Sequence, residues 1–126
     1  MALTMLTLDV GNPVDAARTR EVDLQLDSGV IYSVIPALIL KKLGIEPVGE
    51  VSFTLASGDR LVRRKGVALF KYAGRVGGAD VLFGEKGDGA LLGATTLASL
   101  GLVLDPLQRE LREIPMTWGG FRPELG

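Results

Sequence analysis

The chain opens on an alternation. In "MLTLDV", residues 5–10, apolar and polar positions trade places one by one, which is the two-residue period of a half-buried strand. "GNPVD" after it is turn material. "EVDLQLD" then alternates again, with Val22, Leu24 and Leu26 on one face and Glu21, Asp23, Gln25 and Asp27 on the other. "PALILKKLG" predicts a short helix. Pro36 suits its first turn, Lys41 and Lys42 its C-terminal end, and Gly44 its stop.

The stretch 49–75 predicts a long hairpin. Val51, Phe53 and Leu55 alternate before the turn residues Ser57, Gly58 and Asp59, Leu61 resumes after them, and a further strand runs from about 67 to 72. "ADVLFG" predicts another strand, "EKGDG" a loop and "ALLG" a short apolar piece. "ATTLASLG" predicts a short helix stopped by Gly101, followed by a strand "LVLD" closed by Pro106 and a last strand within "RELREIP". "TWGGFRPELG" reads as a tail or edge segment, with Trp118 and Phe121 available to cover a core edge or a seam. One faint internal echo is present: strand, turn and short helix ending in Leu-Gly occurs at 22–44 and again at 90–101.

Length and composition narrow the class. With 126 residues, 47% hydrophobic and 23% charged, the chain reads as one domain with a packed core, spanning 5–115, and a tail at 116–126. A net charge of −1 with thinly spread basic residues argues against a nucleic-acid-binding face. Cys and His are both absent, which removes disulfides, thiolates, imidazole bases and the commonest metal ligand. Acid–base chemistry would therefore fall to carboxylates, Lys or Tyr. No spaced carboxylate cluster supports a metal site, and no cofactor is implied. Neither a signal-peptide pattern nor a long apolar run is seen, so a cytoplasmic protein without a membrane contact is expected.

Against that background, Asp27 is conspicuous. It ends a core strand and is followed by Ser28, Gly29 and the apolar run "VIYSVIP". Asp, Ser and Gly all favour turns, so a plain surface turn is one reading. The other is a catalytic carboxylate, since a carboxylate between apolar segments needs partners or a raised pKa. One Asp cannot serve as both acid and base, whereas two side by side share a proton and can. The chain holds one such strand-end motif, so the second Asp would come from a second copy across a two-fold axis.

Three stretches together resemble the retropepsin-like aspartic proteases, most of all their bacterial single-domain members. They are "LQLDSGVIYSVIP", "LASGDRLVRRKG" and "ALLGATTLASLGLVLDP", in that order. The resemblance implies an all-β, small closed barrel-like fold with one or two short helices, acting as a homodimer. It implies that Asp27 is the catalytic carboxylate of an aspartic endopeptidase. Ser28 would tie the two active-site loops together, and Gly29 would let the backbone approach its symmetry mate. Leu91, Leu92 and Gly93 would pack beneath the loop. Ser57, Gly58, Asp59 and Arg60 would form a flap tip closing on an extended peptide or protein substrate.

The family pattern is broken in places. Val30 stands where Ala or Ser is frequent and could narrow the cleft, and Tyr32 is a candidate pocket residue. Ile31, Tyr32 and Ala94 occupy places where the viral members carry ion-pairing residues near the dimer interface, which points to a different dimer arrangement. A catalytically weak or inactive peptide-binding or assembly module on the same fold is the alternative. "GDGALLG" with Asp105 downstream imitates a dinucleotide-binding turn, but its helix is too short for that unit. Arg63, Arg64 and Lys65 read as a solvated or edge-protecting stretch, and Asp80 and Asp88 as solvent-facing carboxylates.

Overall fold

The structure, a computed structural model, describes residues 5–27, 29–120 and 124. Nine strands and two short helices follow one another as β1 (Met5–Asn12), β2 (Asp15–Leu26), β3 (Ser33–Pro36), α1 (Ala37–Lys42), β4 (Gly49–Thr54), β5 (Arg60–Tyr72), β6 (Arg75–Gly84), β7 (Leu91–Leu92), α2 (Ala94–Ser99), β8 (Leu102–Asp105) and β9 (Glu110–Glu113). Seven strands form one sheet in the order β1-β2-β7-β3-β6-β5-β4, and β1 pairs with β5 as well. That last pairing closes six of the strands into a ring and leaves β4 outside it, attached to β5 alone among the sheet's strands. β8 and β9 form a separate two-stranded sheet. The architecture is mostly β, with two short helices.

The alternation in the sequence becomes the core. Leu6, Leu8 and Val10 of β1 and Val22, Leu24 and Leu26 of β2 point inward, where they meet Ile35, Ala68, Phe70, Val81, Phe83 and Leu92. Each such aliphatic or aromatic side chain, fully buried, stabilises the fold by roughly 1.5–3 kcal/mol before entropy is counted. β6 departs from alternation, since Val81, Leu82, Phe83 and Gly84 are all buried. It lies between β3 and β5 and is covered on both faces, so its end reads as a continuous apolar run.

Three expected boundaries move. β2 starts at Asp15, not at 21, and the turn shrinks to Pro13 and Val14. Of the added residues, Asp15, Thr19 and Arg20 pair with β1 across an irregularity at Gly11/Asn12, and all are exposed, so no alternation marks them. β6 starts at Arg75, joined to β5 by a tight turn in which Ala73 and Gly74 both have positive φ (50° and 79°). Its Gly77 is tolerated there because α2 presses against it: a Cβ would lie 2.5 Å from the Ser99 carbonyl oxygen. Pro36 ends β3 and stands at the N-cap of α1 instead of inside its first turn.

Candidate active site

β2 delivers Asp27 at its end. Its partner there is β7, which runs parallel to it with Gln25 opposite Leu91 and Leu26 opposite Leu92. β7 also touches β3 through Val34 opposite Leu91, so the loop from 27 to 32 leaves and re-enters the sheet on either side of β7. The Gly29 N–H donates to Asp27 Oδ1 at 2.9 Å, and the Val30 N–H donates to the Asp27 carbonyl at 3.2 Å. Ser28 lies outside the described residues.

The loop is held from below by the segment that follows β7. Ala94 N–H donates to the Val30 carbonyl at 2.9 Å, and Thr95 donates to the Ile31 carbonyl through both its N–H (3.0 Å) and its hydroxyl (2.9 Å). Gly93 makes this approach possible. A Cβ on it would lie 2.5 Å from the Ile31 carbonyl oxygen and 2.6 Å from the Ser33 nitrogen. A buried hydroxyl pair completes the support: Gly93 N–H donates to Ser33 Oγ at 2.9 Å, and Ser33 Oγ lies 2.6 Å from Thr96 Oγ1. Sequence reasoning passed over Ser33 and Thr96. A lone Ser inside the apolar run "VIYSVIP" was the available signal, because a polar group in a buried strand must find a partner.

Two concavities flank the loop. On one side Gly29, Val30, Ile31 and Tyr32 line a groove of about 510 Å³, walled further by Val34, Phe53, Leu61, Leu82 and Leu91. On the other, Asp27 borders a hollow of about 300 Å³ whose remaining lining comes from apolar side chains of β2, β7, α2, β8 and Ile114. Asp27 is the one ionisable side chain among the described residues of that lining. In the single chain its side chain is exposed, so the expectation of a carboxylate enclosed by apolar residues is corrected: the loop lifts it to the surface.

The other candidates separate by position. Leu92 and Gly93 are buried under the loop, and Leu91 faces the groove. Ser57, Gly58, Asp59 and Arg60 form an exposed hairpin tip, in which Leu55 N–H donates to the Asp59 carbonyl at 2.8 Å and Gly58 has φ +90°. The groove is lined by the arms of that hairpin, at Phe53, Thr54, Leu55 and Leu61, and not by its tip. Val30 and Tyr32 both line it.

The charged residues differ most from expectation. Asp88 does not face solvent as a free carboxylate, and Arg63 is not simply solvated. Arg63 Nε and Nη2 donate to the two Asp88 oxygens at 2.7 and 3.0 Å. The Arg63 hydrogen bond, joined by one from the Glu85 N–H, holds the Asp88 carboxyl below its ordinary value. Lys65 bonds Asp80 at 3.2 Å and lies 5.8 Å from the Tyr32 ring centroid, while Arg64 lies over Phe83 at 5.5 Å. These partners are 15 to 25 residues away in the chain for Lys65 and Arg63, so no local pattern announced them. The dinucleotide imitation also fails: α2 has six residues, and β8 pairs with β9 and not with β7.

No protein-family model matches the chain, and no curated protein matches it. Among solved structures, the chain is similar to the solution structure of Simian Foamy Virus (mac) protease, with a TM-score of 0.50 and 19% identity over 74% of this chain and 92% of that one. Sheet order, ring closure and this likeness agree on the architecture: the chain has the retropepsin-like, all-β fold.

Proposed function

We propose that the protein is an aspartic endopeptidase of the retropepsin-like type, similar to the bacterial single-domain members and active as a homodimer. The observation that carries this reading is Asp27. It ends a core strand on a loop braced by backbone hydrogen bonds, the next described residues of that loop, Gly29 to Tyr32, line the apolar groove, and the chain has no His or Cys to do the work instead. A second Asp27 from the partner copy would complete the pair. One carboxylate ionised and one protonated would hold a water between them. The ionised Asp takes the water's proton as the oxygen attacks the scissile carbonyl carbon. The protonated Asp gives its proton to the carbonyl oxygen. Collapse of the resulting diol breaks the C–N bond, with a carboxyl proton passing to the leaving amine. The substrate would lie extended in the groove as an added strand, against the hairpin arms.

The test is cleavage of a diverse peptide mixture, read by mass spectrometry at several pH values, with wild type and Asp27→Asn. Cuts made by wild type and absent from the variant support the reading. Equal cutting by both overturns it. Peptide binding without cleavage by a folded wild type would favour the binding module, a reading that draws on Val30 in the groove wall.

A further inference from the structure

The groove contains an ion pair for which the chemistry at Asp27 has no use. Arg63 sits on β5 opposite Val51 of β4, within the arm of the flap hairpin. Asp88 sits in the loop entering β7, across the groove. Their two-pronged contact is the geometry that suits a planar guanidinium and a carboxylate. Asp88 Oδ2 also accepts the Glu85 N–H at 2.8 Å, and the Glu85 carboxylate stands 3.4 Å from Arg63 Nη1. The Arg63 and Asp88 side chains are 16% and 24% exposed, so the pair is partly covered by the groove wall. The rest of the groove's described lining is apolar side chains and glycine, apart from Thr54 and the Tyr32 hydroxyl.

We propose that Arg63 and Asp88 are specificity-determining residues of the groove, and that as a pair they make it select a peptide side chain that is apolar and uncharged. This rests on the groove being a peptide site, which both readings above share. The physical argument is a balance of penalties. A charged side chain entering the groove loses hydration and finds no free opposite charge, because each protein charge is already bound to the other. An apolar side chain loses nothing and gains the contact of Val30, Val34, Phe53, Leu82 and Leu91. Selection against charge is thus achieved by pairing, not by leaving charge out of the wall. Removing one partner reverses the sign. Without Asp88, Arg63 loses its two-pronged partner, keeps only the exposed Glu85 carboxylate at 3.4 Å, and can turn to a peptide carboxylate. Without Arg63, Asp88 and Glu85 form an anionic end that seeks Lys or Arg.

The experiment is a titration of one peptide sequence carrying Leu, Glu or Lys at each position in turn. It is made on an Asp27→Asn background so that binding is read without cleavage. The expected result is one position at which the unaltered groove prefers Leu over both Glu and Lys by about tenfold. Asp88→Asn should then raise affinity for the Glu peptide about tenfold and not for the Lys peptide, and Arg63→Met should do the opposite. The double variant Arg63→Met/Asp88→Asn leaves only Glu85, which is exposed and outside the groove's lining, and should return to Leu. If one single variant does not fold, the other still decides, because the two shifts have opposite signs. Equal shifts, or none, overturn this inference while leaving the peptide site intact. Failure of any peptide to bind the unaltered groove overturns the peptide site together with the inference.

Discussion

The two strand–loop–helix units of the chain end alike and begin differently. α1 and α2 each have six residues, each is followed by Leu and then Gly, and Gly44 and Gly101 share φ +76°. An arginine serves each end: Arg18 Nη2 donates to the Lys42 carbonyl at 2.7 Å and Arg75 Nη1 to the Leu100 carbonyl at 3.0 Å. The starts diverge. The first unit sends β2 into the loop that carries Asp27, while the second runs from β7 through Gly93 directly into α2. One unit presents a carboxylate and the other is the platform under it. A scaffold used twice in this way places one strand-end acid per chain, which is why a paired-carboxylate chemistry would need two copies.

The platform's role can be broken most severely at Gly93. Gly93→Ala forces a methyl into the Tyr32–Ser33 backbone, and a loss of about 3 kcal/mol is expected in urea unfolding. An unchanged midpoint would mean that the two units are not in this contact.

Next is Ser33→Ala, which strips Gly93 N–H and Thr96 of a buried partner and should cost about 2 kcal/mol. Ser33→Ala combined with Thr96→Val should cost less than the sum of the single losses, since the two hydroxyls share one hydrogen bond.

The likeness of the helix ends is sharpened by Gly44→Ala and Gly101→Ala. Both place a Cβ in the left-handed region and should lose about 1–2 kcal/mol on that account, and Gly44→Ala should lose more, because its Cβ falls on the Arg18 guanidinium that bonds the Lys42 carbonyl. No loss at Gly101 would make the echo a coincidence of sequence.

The smallest effect concerns acid. Arg63 holds the Asp88 carboxyl below its ordinary value, so folding favours the ionised form. The resulting stabilisation is present above the unfolded value, about 3.9, and is lost as pH falls through the lower folded value. Asp88→Asn lacks that contribution from the start. Its urea midpoint should therefore fall less than that of wild type between about pH 6 and about pH 3. An equal fall in both proteins would place the acid sensitivity elsewhere.

What the chain determined by itself was local. Alternation marked β1, the inner half of β2 and the β4–β5 hairpin, because a strand with one buried face must repeat every two residues. Helix stops at Gly44 and Gly101 were legible because the left-handed residue after a helix favours glycine. Asp27 stood out at the end of a core strand. The exposed arm of β2 was illegible, since a strand wet on both faces carries no period.

Only the tertiary structure decided which distant groups meet. It closed the ring through Val10 opposite Phe70, joined Ser33 to Thr96 across 63 positions, and joined Arg63 to Asp88 across 25. It also set Asp27 outside the core rather than within it. Periodicity is written by neighbours a few residues apart. A buried hydroxyl or a withdrawn charge is satisfied by whatever group the closed sheet brings beside it, and that depends on the whole topology at once.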